Sequence, residues 1–164
     1  TRLHPRGVAV VRTTPGGPLP FADGGFDLVT SRHPVSPDWQ EITRVLAPGG
    51  TYLAQHVGPA SGFELIEYFL GPLPSERQGR DPQVEADAAR AAGLEIVDLR
   101  TARLRIEIRD IGAVVYLLRK LVWWVPGFTV EKYRDRLRDL HEQIQRDGVF
   151  EDHSSRHLIE ARRL

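Results

Sequence analysis

Residues 26–57, FDLVTSRHPVSPDWQEITRVLAPGGTYLAQHV, decide the fold. Phe26-Asp27-Leu28-Val29-Thr30-Ser31 follows the turn residues Asp23-Gly24-Gly25 and reads as a strand whose near-continuous apolar centre predicts burial on both faces. Ser36-Pro37-Asp38 offers a capped helix start, and Trp39, Ile42, Val45 and Leu46 share one face of the helix that follows. Ala47-Pro48-Gly49-Gly50 ends that helix, and 51–57 is the next predicted strand. Strand, helix, strand at this spacing is a βαβ unit, which requires a parallel pair and a right-handed crossover. The fold class is therefore α/β.

Working outward, Val8 to Val11 is a short β-branched run and predicts a further strand before the Pro/Gly loop at 13–18. On the other side the pattern predicts a helix over 63–70, a polar loop over 71–82 and an Ala-rich helix over 84–92 closed by Gly93. A long or bent strand is expected over 94–108, then helices over 111–125 and 129–146. In the second of these, Tyr133, Leu137, Leu140 and Ile144 form a buried stripe. The last predicted strand, 154–161, puts His157, Ile159 and Ala161 on one side. No repeat or linker is seen, so 1–164 reads as a single domain in which the helical pair 109–148 is inserted before the last strand.

Composition narrows the function classes. The 164 residues are 41% hydrophobic, enough for a real core, and 22 basic residues balance 22 acidic ones. No global field would draw in nucleic acid or an anionic membrane, so neither is expected as a partner. Cys is absent, which removes thiol nucleophiles, disulfides and thiolate metal sites and agrees with a cytoplasmic protein. No run of about 18 apolar residues is present, so no membrane span is expected. His153 and His157 are four apart, but in a predicted strand with no third ligand nearby, and no metal site is expected.

Leu19-Pro20-Phe21-Ala22-Asp23-Gly24-Gly25-Phe26-Asp27-Leu28-Val29, followed by Arg44-Val45-Leu46-Ala47-Pro48-Gly49-Gly50, resembles the class I S-adenosylmethionine-dependent methyltransferases. The resemblance implies a Rossmann-like sheet in the order 3-2-1-4-5-7-6, of which this chain would supply strands 3 to 7, with helices on both faces. It also implies S-adenosylmethionine as cofactor. The family's glycine-rich loop after its first strand, and the acidic residue after its second, have no counterpart here. The expectation is that the chain is the carboxyl-terminal two-thirds of such a domain. Its strand 26–31 would then keep an apolar outer edge, which a homodimer could cover.

The resemblance also implies the site residues, in keeping with the rule that open α/β sheets bind ligands outside the carboxyl ends of their strands. Thr14, Pro15, Gly16, Leu19, Ser31 and Arg32 are the expected cofactor contacts. His33, directly after a strand and with an ordinary pKa near 6.5, is a candidate general base; a solvated loop histidine is the alternative. His56 is a candidate contact to a small-molecule acceptor, against a buried or interface histidine. Tyr116, Trp123 and Trp124 are candidate walls of an apolar acceptor pocket under a helical lid, against a helix simply packed on the sheet. The expected function is methyl transfer to a small molecule. The rival is a noncatalytic methyltransferase-like remnant acting in oligomerisation or binding.

Overall fold

The structure, a computed structural model, describes residues 7–14 and 16–164. Its elements run β1 (Phe26–Arg32), α1 (Trp39–Val45), β2 (Leu46–Val57), α2 (Phe63–Leu70), α3 (Pro74–Arg77), α4 (Pro82–Ala91), β3 (Leu94–Ile108), α5 (Ile111–Lys120), α6 (Arg134–Asp147) and β4 (Phe150–Arg163). The strands form one four-stranded sheet in the order β1-β2-β4-β3. β1 and β2 are parallel, as a βαβ unit requires. The chain divides into two compact units, one of residues up to His56 with Gln83–Arg100 and Leu158–Leu164, the other of Val57–Pro82 with Thr101–His157.

The first unit is built on strict alternation in β2. Tyr52, Ala54 and His56 are buried while Leu53 and Gln55 are exposed, the period-two signature of a half-covered sheet. The inward residues join Ile42 and Leu46 from the α1 end, Ala89 of α4, Leu94, and Ile159 and Ala161 of β4 in one core. Asp38 caps α1 by accepting from the Glu41 amide at 3.1 Å, leaving Ile42 and Val45 to face inward. In the second unit, Leu137, Leu140 and Ile144 of α6 pack with Val114 and Leu118 of α5, Leu65 and Phe69 of α2, and Phe150.

Several expectations are corrected. Val8 to Val11 forms no strand and is exposed, because no described strand offers it a ladder. β1 is not buried on both faces: it ends the sheet, and Leu28 is 54% exposed. β2 begins at Leu46 rather than at Thr51, since pairing steps from Phe26↔Leu46 to Leu28↔Thr51 and the intervening Ala47-Pro48-Gly49-Gly50 bulges from the ladder. The 71–82 loop contains the single turn α3, α5 stops at Lys120, α6 starts at Arg134, and β4 extends to Phe150–Arg163.

One arginine ties the segment before β1 to α1. Arg44 donates to Glu41, Asp23 (2.6 Å), the Phe21 carbonyl (2.8 Å) and the Leu19 carbonyl (3.0 Å). The Leu19 amide in turn donates to Glu41 Oε2 at 2.6 Å. The guanidinium fork, with the Leu19 amide, holds the Glu41 carboxyl down to a pKa of about 2. The Arg44 guanidinium is itself pushed up by Glu41 and Asp23. This pairs the LPF-x-D stretch with the Arg-Val-Leu stretch in space as well as in sequence.

Two outcomes follow. A Cβ on Gly50 would lie 2.8 Å from the Ala47 carbonyl oxygen and 3.1 Å from that of Phe26, so Gly50→Ala should lower stability by about 1–3 kcal/mol, read as a shifted urea midpoint; an unchanged midpoint would contradict this packing. Because the Glu41 pKa is depressed in the folded chain, its stabilising contribution is complete above about 4.5 and is lost only as pH falls through about 2. Carboxyl-carbon NMR titration should place its midpoint there, and Arg44→Gln should return it towards 4.5 and speed Leu19 amide exchange about tenfold.

Candidate functional site

The pinned segment, the carboxyl end of β1 and the start of α1 surround a cavity of about 900 Å³ in the first unit. That volume lies within the range of small-molecule sites. Its walls are Thr13, Thr14, Gly16, Gly17 and Leu19 on one side, Val29, Thr30 and Ser31 of β1 on another, and the 34–38 loop with Trp39 and Ile42 of α1. Tyr52 closes it from β2, and Ala88 and Ala92 close it from the α4 end. The lining mixes apolar faces with the hydroxyls of Thr14 and Ser31, a composition suited to a flat, partly polar ligand.

Of the expected cofactor contacts, Thr14, Gly16, Leu19 and Ser31 lie together on this cavity. Pro15 lies outside the described residues. Arg32 is exposed and is not in the lining. His33 is exposed with φ at 53°, and its amide donates to the Gln55 carbonyl at 2.8 Å. That bond joins the carboxyl ends of β1 and β2, and it holds a non-glycine residue in the sparsely populated left-handed region.

His56 is buried at 1% exposure, away from the cavity walls. Its Nε2 lies 3.1 Å from the Tyr52 hydroxyl, and its Nδ1 is hydrogen-bonded to Glu85 Oε2 of α4. A carboxylate can only accept, so Nδ1 carries a proton and donates it to Glu85. Trp39 stacks on His56 with ring centroids 6.2 Å apart and planes inclined by 23°. Burial raises the Tyr52 phenol to about 12, against the lowering influence of the neighbouring Ser31 hydroxyl, so it remains an O–H across the neutral range. Sequence reasoning passed over Trp39, Tyr52 and Glu85. Trp39 and Tyr52 carry the period of core residues, and Glu85 lies 29 residues from its histidine with no local spacing to betray it.

The aromatic residues of the 111–125 segment belong to the second unit. Tyr116 and Trp123 are exposed at 63% and 65%. Trp124 packs against that unit's core and over Gly62, where any Cβ would collide with its ring. The second unit also holds a carboxyl pair, in which burial and the neighbouring Glu64 raise Asp152 to about 7. Glu64 is lowered by its bond to Asp152 and by Arg103 and His153. Among the described residues no helix is long and apolar enough to cross a membrane.

No protein-family model matches the chain, and no curated protein does. Solved structures do. A candidate methyltransferase from Bacillus halodurans superposes with a TM-score of 0.55 at 20% identity, over 88% of this chain and 67% of that one. The YcgJ protein of Bacillus subtilis gives 0.55 at 20% identity, over 99% of this chain and 75% of that one. A candidate sarcosine dimethylglycine methyltransferase from Galdieria sulphuraria gives 0.43 at 19% identity; 88% of this chain matches only 55% of it. The chain thus spans between about half and three quarters of these three structures. The βαβ unit, the sheet and the two superpositions with a TM-score of 0.55 together give the chain the class I methyltransferase fold.

Proposed function

We propose that this chain takes part in S-adenosylmethionine-dependent methyl transfer to a small-molecule acceptor, with the cavity of the first unit as its site. The observation that carries this is the position of the cavity. It opens beside the carboxyl end of β1, with Tyr52 of the parallel strand β2 in its wall, and open α/β sheets take their ligands at the carboxyl ends of their strands. In this reading β1-β2-β4-β3 corresponds to strands 4-5-7-6 of the family's seven-stranded order.

Leu19, Val29 and Ile42 offer apolar surface for a purine ring, while the Thr14 and Ser31 hydroxyls and the Gly16-Gly17 backbone offer hydrogen bonds to the nucleoside. The bound donor would supply an electrophilic methyl group. The chain's own contribution would be to hold donor and acceptor in line and to keep water out, which is most of what such a transfer needs. Arg32 and His33 would border the site from the solvent side.

Calorimetric titration with S-adenosylhomocysteine, on the longest form of the polypeptide containing this chain, tests the reading. One-to-one binding is expected. Ala88→Trp, which projects an indole from α4 into the cavity, should weaken that binding at least about tenfold. Absence of binding, or affinity unchanged by Ala88→Trp, would contradict the assignment and favour a noncatalytic methyltransferase-like module.

A further inference from the structure

The second unit carries an outward face that the methyl-transfer reading does not use. α5 turns Val114 and Leu118 inward, where both are buried. Two tight turns follow it, closed by the Trp124 amide on the Leu121 carbonyl at 2.9 Å and the Phe128 amide on the Val125 carbonyl at 3.1 Å. Val125 is buried and Trp124 packs on the core of the unit. With these neighbours anchored, Val122 and Trp123 are held out at 63% and 65% exposure, and Tyr116 of α5 stands out at 63%.

The charges around these side chains are mostly of one sign. Both lysines of the chain, Lys120 and Lys132, border this face and are exposed. Lys120 Nζ lies 5.7 Å from the centre of the Tyr116 ring, and Lys132 Nζ lies 3.9 Å from the place a Cβ would take on Gly127, in the second turn. Between Asp110 and Asp135 the chain carries Arg119, Lys120, Lys132 and Arg134 against the single acid Glu131. We propose that this face, with Tyr116, Val122 and Trp123 bordered by Arg119, Lys120 and Lys132, docks the chain on an anionic lipid surface. The proposal is independent of the methyl-transfer reading.

The charge pattern and the apolar area both favour a bilayer over another protein. The zero net charge of the chain removes long-range attraction only; within a Debye length of about 8 Å the local excess of cations decides. Indole and phenol rings prefer the headgroup level of a membrane, where the flexible lysine stems let their ammonium groups reach lipid phosphates. Three side chains, each about two-thirds exposed, offer roughly 300–400 Å². A stable protein interface needs roughly 800 Å² from each partner, whereas a few apolar anchors inside a basic rim are enough for peripheral attachment. The ten residues of α5 measure about 15 Å, half of a hydrocarbon core, so the contact is with the surface and does not cross it.

The test is co-sedimentation of the longest form of the polypeptide containing this chain with two kinds of vesicle, phosphatidylcholine alone and phosphatidylcholine with about 30% phosphatidylserine. Binding at least about tenfold tighter to the anionic vesicles is expected. Trp123→Ala should weaken it about tenfold or more, and Lys120→Gln and Lys132→Gln about fivefold each. Arg90→Gln on α4, an equal loss of charge elsewhere, should leave it unchanged. The lysine variants, which touch no core residue, carry the test alone if Trp123→Ala lowers the urea midpoint. No binding, equal binding to both vesicles, an equal effect of Arg90→Gln, or affinity unchanged in the variants overturns the proposal. So does a dimer, seen by sedimentation velocity without lipid, that Trp123→Ala splits, because a second copy would then cover this face.

Discussion

The fork of Arg44 is the constraint on which the cavity depends. A single guanidinium on α1 joins the Glu41 carboxylate of the same helix to the Asp23 carboxylate and two backbone carbonyls of the segment that precedes β1. Without it, residues 19–23 would have only the Leu19 amide bond to Glu41 to hold them against the helix, and Glu41 is itself oriented by Arg44. Since Leu19 and the glycine pair before it form one wall of the cavity, an electrostatic contact at the outer end of α1 sets the shape of a pocket at the other end of the same segment. Lysine could not replace this arginine, because a point charge on a flexible stem lacks the planar set of donors that satisfies four acceptors at once.

The second determinant is the alternation in the parallel pair. Period two places Val29 and Ser31 of β1, and Tyr52, Ala54 and His56 of β2, on the covered side, while Leu53 and Gln55 are exposed. The bulge at Ala47-Pro48-Gly49-Gly50 sets this register, and Gly50 tolerates it because its backbone sits against the Ala47 and Phe26 carbonyls with no room for a side chain. A one-residue slip would turn Tyr52 and His56 outwards and take the Tyr52 side chain out of the cavity wall. In β2 the residues that fill the core are also those that carry the buried hydrogen bonds from Tyr52 through His56 to Glu85.

Much of this was legible in the residues. The βαβ unit, the Asp38 cap, the limits of α2 and β3 and the buried stripe of α6 all follow from local rules, because each is written in the spacing of residue types within its own stretch of sequence. What was not legible depended on distant partners. Val8 to Val11 has the composition of a strand but no ladder to join, and the apolar centre of β1 says nothing about whether a strand lies on its far side. Thr14, Gly16, Leu19 and Ser31 could be named from the family resemblance, and they line the cavity. Glu85 could not, since its role arises only when α4 lies across β2 and brings a carboxylate to the histidine.

The central claim is that the ligand space of this chain is the cavity between the 13–19 segment, β1 and α1. Backbone amide shifts recorded while S-adenosylhomocysteine is added to the ¹⁵N-labelled protein test it most directly. The account predicts saturable changes concentrated in residues 13–19 and 29–42, with Tyr52 following. Changes confined to Tyr116, Trp123 and their neighbours, or no saturable change anywhere, would contradict it.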